Sequence, residues 1–485
     1  MPSTQTAHHA STRTARRALA LGVAATTALV ATPVVSASGA VTTLYVRPTS
    51  CSDAGSGTAT LPFCTIVKAA RVAVAGQTVV VSSGTYTGEV VPLHSGLQTS
   101  RITFRPATGA TVTISGPRHG FTISNQSFIT VSGFHIQNTT GIGLFVSNAR
   151  GVILNGNTVQ TAGRRVSGAT AYGMYLNGMV GSIVKGNRVT NNSASGIFLS
   201  TTSSSNQVEG NEASGNAFGY VRNGVGIDVR GPGNLIKGNR VHHNEDSGIQ
   251  VFPGGDRTRI VNNVVYANKG FTTTVQTNCT HPVTGNTRGC MTGDHGIDAS
   301  GVTGGQIVGN TVYGNATSGI NVEGVPAGTS SGFTIANNIA ADNAVRCPDG
   351  AGGTVNCPRN GGNIRVDSSS RLGTTLDFDL LQLSAAGPMV IWGTTSYSTL
   401  AAFRAASGRE GRGIQADPRF TNPTIGLFTL AAGSPAIDSA NSSAPGQTTT
   451  DALAHVRVND PATPNTGIGV RAFDDRGAYE YQPAG

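Results

Sequence analysis

Charged residues are scarce in this chain: they make up 12% of its 485 residues, against about 25% in a typical soluble domain. The lysines and arginines are scattered rather than clustered, so a nucleic-acid-binding surface is not expected. After residue 40 the sequence has no apolar run long enough to cross a bilayer, and no membrane span is predicted. The cysteine spacings match no zinc signature, which excludes a zinc module.

Glycine, in contrast, is abundant, with 66 residues. An internal Gly costs a helix about 1 kcal/mol, whereas repeated tight turns use Gly freely. Together with frequent Asn, Thr, Ser and Val, this composition predicts many short strands joined by turns. The net charge of +9 makes the chain mildly basic and allows an anionic partner such as an acidic polysaccharide.

The beginning of the chain has the layout of a secretory signal. A basic start precedes an apolar run from Ala18 to Val35, and small residues allow cleavage after Ala37 or Ala40. We therefore predict a signal peptide over residues 1–37 and a secreted, extracellular mature protein. The six cysteines form three local pairs, which predicts three disulfides in an oxidising compartment: Cys51 with Cys64, Cys279 with Cys290, and Cys347 with Cys357.

Two short motifs recur along the chain. The first is Gly, an apolar residue, any residue x and a small or apolar residue, as in Gly226–Val229 and Gly296–Ala299. The second, Asn-x-apolar-x-x-Asn, begins for example at Asn187, Asn211 and Asn239, and its copies define a unit of a little over twenty residues. Such a unit cannot bury its apolar face alone. Stacked units predict parallel sheets around one long core, with asparagine ladders at the turns.

This repeat resembles that of right-handed parallel β-helix proteins of the pectate-lyase-like superfamily, over roughly residues 44–400. The resemblance implies an all-β, right-handed parallel β-helix solenoid over residues 38–415. It also implies an N-terminal cap with a helix over Thr65–Ala75, and a C-terminal capping segment over residues 416–485. Because this scaffold carries lyases, hydrolases, epimerases and adhesins, the fold alone does not define the activity.

The residue x of each Gly motif should point outward, and stacking should align these residues in one row, with a second row two positions further on. Aromatic residues at one end of the rows give way to acids, amides and arginine at the other. Sugar rings stack on aromatic faces and their hydroxyls bind carboxylates and amides, so we expect this face to bind an extended, anionic polysaccharide. We also expect the protein to be a monomer. The alternative is an ordinary solvated sheet face. The candidate substrate-binding residues are Tyr175, Phe198, Arg230, Gln250, Phe252, Asn321 and Glu323.

The segment Asp294-His295-Gly296-Ile297-Asp298 is the sharpest local motif. Asp246 occupies the frame of Asp294 one rung earlier, so the two carboxylates should stack about 5 Å apart. Carboxylates this close need compensation by a cation, a shared proton or a basic neighbour. Ca²⁺, which takes about six to eight oxygen ligands, is the expected cofactor, bound by Asp246, Asp294 and Asp298.

The same segment resembles the Asp-Asp-Gly-x-Asp calcium motif of family 9 pectate lyases, with His295 in place of the second Asp. The resemblance implies calcium-dependent β-elimination on a uronate, with a Lys as base at position x of the next strand. This chain has Asn321 there, and an amide cannot act as the base. His295 is then the first candidate base, because imidazole exchanges protons near neutral pH. The other candidates are Arg365, Arg230, Arg222 and Lys269.

A second hypothesis uses the acids without a metal. Asp228 and Asp298 lie two rungs apart and could reach the separation of about 6.5–9.5 Å of an inverting glycosidase, and Asp246 with Asp294 is an alternative pair. A third is a non-catalytic, glycan-binding surface protein. We rank a lyase first, with Asp298, Asp228, His295 and Arg365 as catalytic candidates. Because position 298 should face solvent, Asp298→Asn is expected to abolish turnover with little loss of stability.

Overall fold

A computed structural model describes residues 42–163, 171–217, 224–270, 294–348, 354–357 and 360–483. The signal peptide predicted for residues 1–37, the Cys279–Cys290 pair and the centres of the long insertions lie outside these residues. Among the described helices, none is long and apolar enough to span a membrane.

Most of the described strands form three parallel sheets, to which each turn of the chain contributes one strand in succession. Sheet A contains Thr43–Val46, Thr78–Val81, Ile102–Pro106, Ile129–Ser132, Ile153–Asn155, Ile183–Lys185, Gln207–Glu209, Leu235–Lys237, Arg259–Val261, Gln306–Val308, Thr334–Ala336 and Thr375–Asp377. Sheet B contains Gly84–Tyr86, Val112–Ser115, His135–Gln137, Thr158–Gln160, Arg188–Thr190, Glu212–Ser214, Arg240–His242, Val264–Tyr266, Thr311–Tyr313, Ile339–Ala341, Leu380–Gln382 and Ile414–Gln415.

Sheet C contains Phe121–Ser124, Leu144–Arg150, Met174–Val180, Ile197–Leu199, Ile227–Val229, Ile249–Val251, Ile297–Ser300, Ile320–Glu323, Ile364–Val366, Val390–Trp392 and, antiparallel at its end, Thr395–Tyr397. Two small antiparallel pairs join Cys347–Pro348 to Thr354–Val355 and Phe420–Asn422 to Leu427–Leu430. Short 3-10 turns cover Ser368–Ser370 and Pro423–Ile425. The two α-helices of the described chain are α1 (Ile66–Val72) and α2 (Leu400–Ser407).

The sheets enclose one continuous apolar core. In sheet C a column of isoleucines, each paired with the next in register, points inward and is fully buried: Ile227, Ile249, Ile297, Ile320 and Ile364. Burying one such side chain contributes about 1.5–3 kcal/mol, so the repeated column stabilises the stack along its length. The predicted right-handed parallel β-helix is confirmed.

Buried asparagines form ladders at the turns, as the second motif predicts. At Asn239, Oδ1 accepts hydrogen bonds from the backbone N–H and the Nδ2 of Asn211, both at 2.9 Å. Its own Nδ2 donates to the Val208 carbonyl oxygen at 2.8 Å and to Asn263 Oδ1 at 2.9 Å. One ladder joins Asn157, Asn187, Asn211, Asn239, Asn263, Asn310, Asn338 and finally Asp379. A second joins Asn192, Asn216, Asn244, Asn268, Asn315, Asn343 and Asn363.

Helices pack at both ends of the solenoid. Helix α1 lies within the range predicted for it, and the Thr65 hydroxyl caps it by accepting the Lys68 N–H at 3.0 Å. Helix α2, which the sequence analysis did not predict, buries Leu400 and Phe403 in the main core, beside Trp392 of the last parallel strand of sheet C. Its buried stripe is so short that it gives no strong periodic signal in the sequence.

The segment from residue 416 onward lies along the flank of the solenoid where sheet A turns into sheet B. The Asn262 side chain donates to the carbonyl oxygen of Thr450 at 2.8 Å, and that of Asn337 to the carbonyl oxygen of Asn441 at 2.9 Å. A fully buried ion pair, Arg457 with Glu480 at 2.8 Å, holds the segment together. The predicted capping segment therefore covers several rungs from the side, which the sequence resemblance did not indicate.

The ladder generates a first prediction. Asn239→Ala removes four hydrogen bonds at a buried position, so we expect a loss of about 3 kcal/mol or more of unfolding free energy. The matched control is Asn465→Ala, an exposed asparagine with one side-chain hydrogen bond to Asn459, which should change stability by less than about 0.5 kcal/mol. Chemical unfolding followed by circular dichroism measures both. Equal effects would show that the ladder does not stabilise the stack.

The end of the first ladder generates a second prediction. Asp379 takes an asparagine's place beside Glu410, and burial raises the pKa of Asp379 to about 6. When folding raises the pKa of an acid, the folded protein loses stability as the pH rises from the unfolded-state pKa, about 4, through the folded-state pKa. Asp379→Asn should continue the ladder, donate to Glu410 and raise stability at pH 7 by about 1 kcal/mol.

Thermal unfolding between pH 4 and pH 7 tests this substitution. The variant should show a smaller decrease in melting temperature across that range than the wild type. Asp256→Asn, at a partly exposed carboxylate bonded to Thr303, is the control and should leave the pH dependence unchanged. A less stable Asp379→Asn variant at pH 7 would contradict the account.

Candidate active site

The outer face of sheet C brings the predicted residues together. Its register aligns one residue from each of six successive strands in a single row: Phe198, Asp228, Gln250, Asp298, Asn321 and Arg365. Two positions after a residue of this row, Arg230 and Phe252 directly follow their strands, and Ser300 and Glu323 are the last residues of theirs. The sequence alone thus predicted which side chains share this face.

Aromatic side chains occupy the N-terminal part of the face. The Tyr175 and Phe198 rings stack in parallel, with centroids 5.0 Å apart and an interplanar angle of 3°. Phe145 continues the column 5.7 Å from Tyr175, and Tyr172 contacts both rings of the stacked pair. All four rings are partly exposed. A column of this kind presents apolar, partly exposed rings that the C–H surfaces of a sugar can contact.

Arg230 connects this aromatic part to the acids. Its guanidinium lies 5.4 Å from the centroid of Phe198 and 5.0 Å from that of Phe252. It also pairs with Asp228, with Nη2 and Oδ2 3.2 Å apart. Asp228 is 3% exposed. The guanidinium thus covers and neutralises this carboxylate.

Asp298 lies two strands further along the row and is surrounded by hydrogen-bond donors. Its Oδ2 accepts from Gln250 Nε2 at 2.9 Å and its Oδ1 from Asn321 Nδ2 at 2.8 Å. The Ser300 hydroxyl lies 3.0 Å from both oxygens. Asp298 is 2% exposed and Asn321 is fully buried.

The expectation that this row faces solvent was therefore wrong for Asp228, Asp298 and Asn321. Longer side chains of neighbouring positions fold over the shorter ones, as Arg230 does over Asp228. Burial raises the pKa of Asp228, although Arg230 opposes the shift. Burial likewise raises the pKa of Asp298. Because Asp298 is buried, solvent exposure is no longer a reason to expect that Asp298→Asn leaves stability unchanged.

His295 is fixed on both sides of its ring. Its Nδ1 lies 2.5 Å from the Ser318 hydroxyl, and its Nε2 lies 3.1 Å from Asp294 Oδ1. When Asp294 is ionised, it can only accept, so Nε2 carries a hydrogen and Nδ1 accepts the Ser318 hydroxyl hydrogen. The two contacts hold the imidazole plane in one orientation.

Arg365 forms the other polar centre. Its Nη1 donates to Asn321 Oδ1 and to Glu323 Oε2, both at 2.6 Å. The Arg365 and Glu323 side chains are each a little more than one quarter exposed. Because the Asn321 amide also donates to Asp298, it links the arginine to the buried acid.

A cleft of about 280 Å³ opens beside these groups. It is lined by Asp294, His295, Thr317, Glu323, Asn360, Gly361, Arg365 and Ile391. Two of the four catalytic candidates, His295 and Arg365, thus line one cavity, while Asp298 lies behind it. Asp228 does not line the cleft and is bound to Arg230.

The metal-ligating residue types also gather here, but not in the predicted set. Among the described residues, one group of three brings its possible ligand atoms within 4.8 Å of one another. It consists of His295, Asp298 and Glu323. Of the predicted ligands Asp246, Asp294 and Asp298, this group contains only the last. Asp246 is buried. It lies three residues before Ile249, as Asp294 lies three residues before Ile297, and these two isoleucines are paired in register.

These donors do not fit a resident calcium ion. Ca²⁺ takes about six to eight oxygen ligands, whereas the group offers an imidazole nitrogen, which suits transition metals better. Both oxygens of Asp298 already accept hydrogen bonds from neutral side chains, and Glu323 is paired with Arg365.

Other predicted features have defined positions. The disulfides Cys51–Cys64 and Cys347–Cys357 are formed, each with Cα atoms 4.9 Å apart, as predicted. The Lys269 Nζ donates to the Arg346 carbonyl oxygen, and Lys269 is not among the residues that line the cleft. Arg222 lies outside the described residues.

Sequence reasoning missed Ser318 and part of the cleft wall. Ser318 immediately precedes Gly319, in the frame that His295 holds before Gly296, so a search of that frame could have found it. Asn360, Gly361 and Ile391 carry no repeat signal. The chain brings them to the cleft from the loop before Ile364 and from the strand Val390–Trp392.

Comparison with known proteins defines the family. The sequence model of the family described as "Pel9A-like, right handed beta helix region" matches residues 44–350, which is more than half of the chain. The chain belongs to this family, in agreement with the resemblance predicted from its repeats.

Three individual proteins illustrate the similarity. YwoF of Bacillus subtilis (strain 168), described as an uncharacterized protein, is 28% identical over an alignment of 454 residues that covers 81% of this chain and 92% of YwoF. The crystal structure of pectate lyase Pel9A is 17% identical, covers 91% of this chain and 96% of its own, and has a TM-score of 0.48. The GH136 lacto-N-biosidase from Eubacterium ramulus is 11% identical, covers 77% and 67%, and has a TM-score of 0.43.

The Arg230–Asp228 pair generates a third prediction. Arg230→Ala leaves a buried carboxylate without its counter-ion, so we expect a loss of about 2 kcal/mol, reduced from the value for a fully buried pair because the guanidinium is partly exposed. Adding Asp228→Asn should restore much of this stability. Chemical unfolding of the single and double variants measures the effect. A double variant no more stable than Arg230→Ala would show that the carboxylate is not the cause.

Proposed function

We propose that this chain is a secreted enzyme that cleaves an extended, acidic polysaccharide by β-elimination. One observation carries the proposal: an imidazole and a guanidinium line the same cleft, on the sheet that also carries a column of aromatic side chains. An imidazole can serve as a general base, and a guanidinium can bind the carboxylate of a uronate. A lyase needs both functions at one sugar.

The substrate would lie along sheet C. Successive strands are about 4.8 Å apart, close to the length of one pyranose unit in an extended chain. Sugar rings on one side of the cleft would then stack over Phe198, Tyr175 and Phe145, while hydroxyl groups would meet Arg230 and Gln250. This arrangement favours a polymer over a short oligosaccharide.

The reaction begins at the carbon next to the uronate carboxylate. Arg365 would bind that carboxylate and stabilise the negative charge that develops when the adjacent proton leaves. Nε2 of His295 carries the hydrogen bonded to Asp294, so the proton would be taken by the Ser318 hydroxyl as that hydroxyl passes its own hydrogen to Nδ1 of His295. The electron pair forms the carbon–carbon double bond as the glycosidic bond breaks, and the leaving oxygen takes a proton from an acid of the cleft or from water.

Hydrolysis is the second candidate, supported by one specific observation. Asp298 and Glu323 have carboxylate oxygens within 4.8 Å of each other, and burial raises the pKa of Asp298, as suits a general acid. The pair predicted from the sequence, Asp228 with Asp298, has less support because Arg230 neutralises Asp228. The calcium dependence predicted from the Asp294–Asp298 motif is not part of the proposal, because the donors do not fit that ion.

Incubation of the mature protein with a panel of uronate polymers tests the function. β-Elimination produces the ultraviolet absorbance of an unsaturated uronate, and His295→Ala should lower this rate by about a hundredfold or more. His135→Ala, an exposed histidine of sheet B, is the matched control and should retain wild-type activity.

Three results separate the alternatives. New reducing ends without absorbance would indicate hydrolysis, and Glu323→Gln should then abolish them. Retained binding of the polymer without any cleavage would indicate a glycan-binding protein. Full activity of His295→Ala would exclude His295 as the proton acceptor.

A further inference from the structure

The carboxylates around the cleft already have partners from the protein itself. Asp294 is paired with His295, and Glu323 with Arg365. Asp298 accepts hydrogen bonds from Gln250, Asn321 and Ser300. The carboxylates around the cleft are thus stabilised by one imidazole N–H, one guanidinium and neutral donors in place of the cation that the sequence analysis expected.

From these pairings we propose that Arg365 takes the place of a bound cation in this cleft, so that the site binds the carboxylate of an acidic sugar without a resident metal. The inference rests on the proposed function for its substrate, but its metal independence follows from the donor set alone. It runs against the calcium dependence implied by the resemblance of the Asp294–Asp298 segment.

The geometry of Arg365 suits this role. Its two hydrogen bonds to described side chains both leave from Nη1. Nε and Nη2 donate to no described residue and can form the two parallel hydrogen bonds by which a guanidinium binds a carboxylate. The side chain lines the cleft and is more than one quarter exposed, so a sugar can reach it.

His295 supports the same conclusion. A third carboxylate at this position would require a cation among three adjacent acids. Imidazole removes one negative charge there and instead binds Asp294 and Ser318. The histidine and the arginine together shift the cleft from cation binding towards direct binding of an anion.

Metal binding without substrate is the direct test. Chelator-treated, full-length mature protein is titrated with CaCl₂ and with MnCl₂, and binding is followed by calorimetry and by the melting temperature. We expect no binding heat and no shift for the wild type. Saturable binding of either ion that also raises the melting temperature, and that Asp298→Asn removes, would overturn the proposal.

Two variants and a control sharpen the test. Arg365→Met leaves Glu323 beside Asp298 without a counter-ion, so its melting temperature should rise when Ca²⁺ is added. Combining Arg365→Met with Glu323→Gln should remove this response. Arg188→Met, at the partly exposed pair of Arg188 with Glu212 in sheet B, should not respond to Ca²⁺. An Arg365→Met variant that is insensitive to Ca²⁺ would show that the arginine does not replace a cation.

The outcome is independent of the proposed reaction. If the polymer assay shows no β-elimination, the calorimetric result for metal binding still stands. Conversely, a wild type that cleaves a uronate polymer only when Ca²⁺ is present would keep the proposed function and overturn this inference. Cleavage at the same rate with chelator and with Ca²⁺ would support both.

Discussion

The register of parallel strands is the constraint on which the rest of the structure depends. Each turn of the chain adds one strand to each sheet, so residues distant in sequence become neighbours on one face. The buried isoleucine column and the asparagine ladders fix this register from inside. A shift by one residue would turn the isoleucines to the outer face of the sheet and place the row that contains Asp298 in the apolar core. Core packing and the composition of the site therefore have the same origin.

The site shows how the fold accommodates acids that it has brought together. A carboxylate placed near others in a buried environment is costly unless donors or opposite charges compensate it. Here each described acid of the row has a side-chain partner, and the partner comes from its own strand or from a neighbouring turn of the chain: Arg230 for Asp228, and Gln250 and Asn321 for Asp298. The repeat supplies both the charges and their compensation.

The fold and the alignment of the site were predictable because they follow from periodicity. Repeated Gly and Asn positions define strands and turns, and the alternation of side chains then assigns Phe198, Asp228 and Arg365 to one row. Burial of Asp228 and Asp298 was not predictable, since it depends on the conformations of Arg230 and other long side chains. Helix α2 and the walls at Asn360 and Ile391 were missed because they come from non-repeating segments. Calcium was inferred from a motif whose second residue, His295, changes the charge of the site.

The central claim is that the cleft beside His295 and Arg365 is where an acidic glycan binds. A crystal structure of the chain with a bound uronate oligosaccharide tests it most directly. The account predicts a sugar carboxylate on the Arg365 guanidinium and further rings along sheet C towards Phe198 and Tyr175. An oligosaccharide bound on sheet A or sheet B, with the cleft vacant, would contradict it.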